Sequence, residues 1–367
     1  MLKDFVNTSR FWRTEIFTEV VFSDNGAVRL LRLLKERKER PFFVIDAVLQ
    51  TQDAFNSLVA QNNKYLFNAS ASEPKTGDVD YLVSLIKEQK LNPDVVVGIG
   101  GGATMDLAKA VGICLNNPGA AASYQGYSLA LEKGVDIWVL PTLSGTGAEL
   151  TPIAVLRGPE KKLGINNKFA APSLAVIDPD LSRKVKKFNR FFTMMDCYYH
   201  HFEITLSKTS EKKAVLDAHN GLRLTRQVLN NDLSQYKEDL AINSIYASIL
   251  GGSSTIGGRV GACHALSYGL SNCGPALPHS VAVTMSMLGL ALVYSDGGYK
   301  ETLELLKINN MPAPKARNYG ISGRHIPTMA RTSMGMEKLW LSHFGDNWQA
   351  VVTSEFLTNI YKGIVEA

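Results

Sequence analysis

The sequence predicts an α/β N-terminal domain on a parallel, Rossmann-like sheet, residues 1–182, followed by an all-α C-terminal domain, residues 183–367. Three observations predict it. Short apolar runs alternate with helical patterns through the first half, two glycine-rich loops each follow one of those runs, and beyond "DPDLS" (178–182) little but helical periodicity remains. Alternating strands and helices bury their apolar faces most readily as a parallel sheet covered by helices.

In chain order, "GAVRLLRLLKER" (26–37) has helical spacing, "RPFFVIDAVL" (40–49) reads as a strand, and "DVDYLVSLIKEQ" (78–89) as a second helix. "PDVVVGIGGG" (93–102), "VDIWVLPT" (135–142) and "SLAVIDPD" (173–180) are further short apolar strands. The second half supplies helical segments at 191–207, 216–231, 239–252 and 280–295. With 367 residues, 45% of them apolar and 20% charged, the chain can bury a core in each of two domains. The formal net charge of +5 and the mixed-sign "KERKER" (35–40) give no basis for nucleic-acid binding. The four cysteines lack C-x-x-C spacing and "MLKDFVNTSRFWRTE" lacks a leader's apolar run, so a reducing cytoplasm is expected. The chain has no apolar stretch of about 18 residues, hence no expected membrane span.

The first glycine loop, "VVVGIGGGATMDLAKAVG" (95–112), joins a strand to a helix through three glycines. A helix N-terminus points free N–H groups and partial positive charge at an anion, and a bare backbone lets a phosphate approach. The plainer reading is a tight turn, which requires one glycine of positive φ rather than three. The G-x-G-x-x-G spacing is absent. The second loop, "LPTLSGTGAELTP" (140–152), offers the Thr142, Ser144 and Thr146 hydroxyls, although alone it could be a surface turn. Loops on neighbouring parallel strands meet at the carboxyl ends of the sheet, where open α/β folds bind nucleotides.

The helical half carries metal-binding chemistry. In "MMDCYYHHFEITL", Asp196, His200 and Glu203 fall at i, i+4 and i+7 and share one helix face. "GACHALSYGLSNCGPALPHSVAV" adds His264 and His279. One carboxylate with three imidazoles suits Fe2+ or Zn2+ and leaves room for a substrate oxygen. A lone histidine in an apolar helix is more often a hydrogen-bonded core residue, and His201, about 100° around the helix from His200, is a bystander.

Together the "GGG…D..K" loop, the "PT..GTG.E" loop, the "DP.L" segment and D-x-x-x-H-x-x-E with two later histidines resemble the iron-containing (group III) alcohol dehydrogenases, from about residue 20 onward. "LPTLSGTGAELT", "KKLGINN", "FFTMMDCYYHHFE" and "SILGG" are most similar to the branch containing 3-deoxy-D-manno-octulosonate 8-oxidase, which oxidises a terminal sugar-acid hydroxymethyl group ahead of transamination. The resemblance implies the dehydroquinate synthase-like architecture, an NAD cofactor and a cytoplasmic homodimer. It also implies hydride transfer between nicotinamide and a primary alcohol or aldehyde in a cleft between the domains, with an aminotransferase as a possible pathway partner. It assigns Asp196, His200, His264 and His279 to the metal, and Gly100, Gly101, Gly102, Asp106, Thr142, Thr146, Lys162 and Leu181 to the cofactor. Asp46 would face the adenosine ribose, where a carboxylate disfavours the 2′-phosphate of NADP. Glu203 is implied as support for the ligands. Relatives often carry serines where this chain has Ala103 and Ala148, and a relay histidine where it has Tyr268, so Tyr268 becomes a candidate proton carrier. Lys161, Lys162 and Lys168 in "GPEKKLGINNKFAAP" (158–172) are candidate partners for a substrate carboxylate, Lys162 foremost. A short-chain alcohol or diol dehydrogenase, a sugar-phosphate cyclase and a catalytically inactive binding protein are the alternatives. The cyclase needs a basic cluster that the helical half lacks.

Overall fold

The structure, a computed structural model, describes residues 9–13, 16–70, 73–130, 132–274, 276–291, 293–294 and 297–367, with 9–13 and 16 described by backbone alone. The leader reading of the first eight residues lies outside the described ones. Two compact units are present: Met1–Leu143 with Gly147–Lys184, and Ser144–Thr146 with Val185–Ala367. The break thus falls two residues beyond the expected 182, and three loop residues go with the helical unit.

The first unit holds ten strands among its described residues: β1 (Ser9–Arg13), β2 (Ile16–Phe22), β3 (Pro41–Asp46), β4 (Lys64–Phe67), β5 (Val95–Gly100), β6 (Gly126–Tyr127), β7 (Asp136–Pro141), β8 (Ile153–Arg157), β9 (Lys162–Asn166) and β10 (Leu174–Ile177). Its helices are α1 (Gly26–Arg37), α2 (Asn56–Val59), α3 (Thr76–Glu88) and α4 (Gly102–Cys114). Seven strands form one sheet in the order β1-β2-β10-β7-β5-β3-β4, and only the β1–β2 pair is antiparallel. The six parallel strands are those an α/β reading requires, and β5, buried along its whole length, is the Val/Ile run that a strand covered on both faces demands. Two cores follow from that coverage. Leu30, Leu33 and Leu34 of α1 pack with Val97, Leu140 and Val176 on one face. Val79, Leu82 and Ile86 of α3 pack with Val96, Leu107 and Val111 on the other.

The chain runs from β3 outward to β4 and returns to place β5 on the other side of β3. That reversal opens a crevice beyond the carboxyl ends of β3 and β5, where Ile45 pairs with Ile99, and Asp46 and Gly100 follow. The DP.L segment anchors a helix start: the Asp178 carboxylate accepts the Gly26 N–H at 2.8 Å, satisfying an orphan donor at the beginning of α1. At its other end α1 stops on Lys38, whose left-handed backbone (φ 58) turns its N–H back onto the Leu34 and Lys35 carbonyls.

The segment 158–172, rich in lysine and asparagine, is not a simple solvated loop. Its β9 pairs antiparallel with β8 and parallel with β6 in a second, three-stranded sheet.

The second unit contains α5 (Lys187–Leu206), α6 (Lys212–Leu229), α7 (Glu238–Gly257), α8 (Ala262–Cys273), α9 (His279–Gly289), α10 (Gly298–Ile308), α11 (Ile326–Met334), α12 (Glu337–Phe344), α13 (Trp348–Val351) and α14 (Ser354–Glu366), with no strand among its described residues. Its core joins Phe191, Met195 and Tyr199 of α5 to Leu266 of α8, Val283 of α9 and Tyr361 of α14. The apolar run 280–295 does not stay helical to its end, since α9 stops at Gly289. Among the described residues no helix is long and apolar enough to cross a membrane.

Candidate metal centre and dinucleotide site

Asp196 sits mid-way along α5, His264 in the first turn of α8, and His279 opens α9 directly after Pro278. Three helices therefore aim donors at one point. One ligating atom each from Asp196, His264 and His279 lies within 4.8 Å of the others. Asp196 Oδ1 is 3.5 Å from His264 Nε2 and 3.9 Å from His279 Nε2. Asp196 Oδ1, His264 Nε2 and His200 Nδ1 are all buried and make no hydrogen bond. Orphaned donors of this kind, one carboxylate oxygen and imidazole nitrogens, fit a divalent cation. His200, expected as a fourth ligand, is not in the converging group; its ring instead stacks on that of His264, centroids 4.7 Å apart.

Glu203, one turn beyond His200, turns away from that point and accepts His264 Nδ1–H at 2.6 Å. This leaves His264 Nε2 as the ligating nitrogen. Tyr268, a turn after His264, is half-buried with its ring 6.4 Å from that of His279. His201 is the bystander expected: its Nε2 lies 3.0 Å from the Ala247 carbonyl, and its ring is pressed against Gly221, where an added Cβ would come within 2.0 Å of it.

Burial opposes ionisation of Asp196, but His200, His264 and His279 hold its carboxyl well below the usual range. Burial lowers the His200 imidazole to about 4. Burial would lower His264 as well, but the Asp196 and Glu203 carboxylates on either side raise it to about 9. The two carboxylates thus favour the imidazolium form of His264 in the metal-free protein. A folded pKa above the unfolded value of about 6.5 gives stability that is complete below the unfolded pKa and disappears as pH rises through the folded one. The melting temperature of metal-free protein is therefore expected to fall between pH 6.5 and 9. Added Zn2+ is expected to restore it at the alkaline end, where the proton no longer competes. Parallel pH profiles with and without metal would contradict this.

In the first unit the three glycines have different reasons. Gly100 has φ 152, and a Cβ there would lie 2.8 Å from Thr104 Oγ1 and 3.0 Å from Asp46 Cβ, so the fold itself requires glycine. Gly101, which caps α4, has nothing within 4 Å of an added Cβ. Open space at a helix start that the fold does not need is room for a ligand, and Gly102 begins that helix. The Thr104 hydroxyl in the first turn is buried without a hydrogen bond. Thr142 follows β7 beside this loop, its N–H bonded to the Gly100 carbonyl at 3.0 Å. Asp46 caps the turn after β3, accepting from Val48 N–H at 3.2 Å, and burial raises its pKa.

Other members of the expected cofactor set have protein partners. Asp106 accepts the Val155 N–H at 3.1 Å and lies 3.5 Å from the ammonium of Lys109, which is fully buried and donates to Thr151 Oγ1 and the Ile153 carbonyl. Burial raises Asp106 and lowers Lys109, and each charge counters the other's shift. This pair ties α4 to β8. Leu181 packs in the core beneath α1. Lys162, read from sequence as the cation for a substrate carboxylate, is buried on β9 and ion-paired with Glu73, which also binds Arg157 at 3.0 Å. The "KKLGIN" pattern hid this because Glu73 is 89 residues away in sequence.

Thr146 belongs to the helical unit for a reason visible one residue earlier. Gly145 N–H donates to Ser248 Oγ on α7 at 2.8 Å, and a Cβ at Gly145 would lie 2.5 Å from the Thr193 carbonyl of α5.

The iron-containing alcohol dehydrogenase family model matches residues 18–179. An NAD-dependent methanol dehydrogenase from Bacillus methanolicus is 26% identical over 254 residues, 66% of each chain. Alcohol dehydrogenase 4 from Schizosaccharomyces pombe is 26% identical over 220 residues, 59% of this chain and 51% of that one. The chain spans between about half and two thirds of these relatives' length. The crystal structure of sulfoacetaldehyde reductase from Bifidobacterium kashiwanohense in complex with NAD+ matches with a TM-score of 0.80 over 97% of this chain and 99% of that one, at 20% identity, a likeness of fold. Residues 18–179, somewhat less than half of the chain, thus match the iron-containing alcohol dehydrogenase family, whose motifs the sequence resembles.

Proposed function

We propose that the protein is a divalent-metal, NAD-dependent alcohol dehydrogenase that moves hydride between nicotinamide and a primary alcohol or its aldehyde. The observation that carries this reading is the convergence of Asp196, His264 and His279, with two orphaned buried donor atoms, in a chain whose residues 18–179 match the iron-containing alcohol dehydrogenase family model. A bound Fe2+ or Zn2+ would supply a Lewis acid for the alcohol or aldehyde oxygen. The chain's own residues do the rest. Glu203 holds His264 by its Nδ1–H so that Nε2 is aimed at the donor cluster, and Asp196 supplies the anionic ligand. The open helix start at Gly101 and Gly102 takes the cofactor pyrophosphate, Asp46 the adenosine ribose, and Tyr268 the alcohol proton.

Asp46 makes cofactor choice testable. NAD is expected to be preferred over NADP, and Asp46→Gly to narrow that preference by removing the charge that repels a 2′-phosphate. Equal use of both cofactors by the unmutated protein would contradict the assignment.

For the substrate we propose a polyhydroxylated acid, oxidised at its terminal primary alcohol to an aldehyde that an aminotransferase could consume. The octulosonate-oxidase motifs support it, and exposed Lys161 and Lys168 flank β9. Lys162 is withdrawn from this role, since its partner is Glu73. Lys162→Ala is accordingly expected to lower stability by leaving a partly buried Glu73 with less compensation, without reducing acid preference. NADH formation across neutral alcohols, diols and sugar acids tests both levels. Turnover of none refutes the dehydrogenase, and equal kcat/KM for neutral and acidic substrates refutes the acid alone. We further propose a homodimer.

A further inference from the structure

We infer that Glu203 and Tyr294 are positioning residues of the metal centre: Glu203 fixes the tautomer and aim of His264, and Tyr294 fixes Glu203. Glu203 is 1% exposed and its carboxylate accepts from five donors: Gly261 N–H at 2.9 Å, Cys263 N–H at 2.6 Å, His264 N–H at 3.4 Å, His264 Nδ1–H at 2.6 Å and the Tyr294 hydroxyl. Three of these are backbone groups at the start of α8, so the carboxylate also sits at the positive end of that helix's dipole. A carboxylate surrounded only by donors stays ionised and cannot rotate without losing one of them. Its fixed oxygen holds His264 Nδ1–H, so the neutral ring has one tautomer and Nε2 is the nitrogen that faces Asp196.

Tyr294 completes this arrangement from outside the helices. It is 2% exposed, follows the end of α9, and is 91 residues from Glu203 in sequence. Its ring is held edge-on between Phe202 (5.5 Å) and His343 (4.8 Å), so the hydroxyl has little freedom to leave Glu203. Charge gives a second reason for Glu203. Two buried carboxylates, Asp196 and Glu203, balance one divalent cation when the histidines are neutral.

This role rests on the metal reading above, and the test separates the two. Metal-free wild type, Asp196→Ala, Glu203→Gln, Tyr294→Phe and Tyr361→Phe are titrated with Zn2+ against a chelator indicator, and their Co2+ absorption spectra are recorded. Glu203→Gln is expected to weaken Zn2+ binding about 10–100-fold and Tyr294→Phe by a smaller factor, with both altering the Co2+ spectrum. Tyr361→Phe removes a buried hydroxyl that bonds Leu266 and Ser333 and does not touch Glu203; it is expected to lower the melting temperature and leave affinity and spectrum unchanged. If wild type binds Zn2+, Asp196→Ala loses it, and both Glu203→Gln and Tyr294→Phe retain wild-type affinity and spectrum, the positioning role is wrong and the metal site stands. If wild type binds no metal, both fall.

Discussion

Asp196→Ala is expected to leave a folded protein that holds far less than one metal ion per chain and forms no measurable NADH. Asp196 is the carboxylate in the converging group, and its Oδ1 faces both His264 Nε2 and His279 Nε2. Removing it takes away the anionic donor and leaves two imidazoles; among the described residues no other carboxylate joins the group, and Glu203 is already occupied by five donors. The loss should exceed the about 10–100-fold typical of residues that only orient a ligand. A thermal readout accompanies it. Metal at about 1,000 times its Kd stabilises a folded protein by about 4 kcal/mol, so wild type should melt at a higher temperature with Zn2+ while Asp196→Ala should not. Undiminished metal content in Asp196→Ala would remove this residue from the site.

The second large effect lies at Gly145. Alanine there must adopt φ 144, which costs an L-residue about 1–3 kcal/mol. Its Cβ must also avoid the Thr193 carbonyl 2.5 Å away, and overpacking of that kind costs about 1–3 kcal/mol more. Gly145→Ala is expected to destabilise the protein by about 2–6 kcal/mol, or to break the Ser248 hydrogen bond and release the loop. Thr146, a proposed cofactor contact, is the next residue, so a released loop should also raise the KM for NAD. Chemical denaturation and cofactor kinetics read the two outcomes. Unchanged stability together with unchanged KM would show that the loop is not held as described.

The parts of the molecule that were legible in sequence are those whose signal is local. α1 spans the helical pattern at 26–37, and β3, β5, β7 and β10 lie within the four apolar runs, because strands covered on both faces must be apolar throughout. Asp196, His200 and Glu203 were legible together because helical spacing alone puts them on one face. What was hidden depends on contacts distant in sequence. β9 belongs with β8 to a small sheet, and its lysine- and asparagine-rich surroundings carry no apolar run to mark the strand. Glu73 neutralises Lys162 from 89 residues away, and the Gly145 loop is anchored by Ser248, 103 residues on. Tyr294 lay within an apolar run, "SVAVTMSMLGLALVYS", that looked like one uninterrupted helix, and nothing in its spacing connects it to Glu203. Asp106, in a glycine-loop motif, reads as a cofactor residue, yet it pairs with Lys109 and accepts from Val155 N–H, while Lys109 donates to Thr151 and Ile153.

The most direct measurement of the central claim is NADH formation by wild-type protein and a primary alcohol before chelation, after removal of metal by a chelator, and after stoichiometric Fe2+ or Zn2+ is returned. The account predicts activity that disappears with the metal and returns with it in wild type, and that does not return in Asp196→Ala. Dehydrogenase activity unaffected by complete metal removal, or a metal-loaded wild-type protein that reduces no NAD with any alcohol, would contradict it.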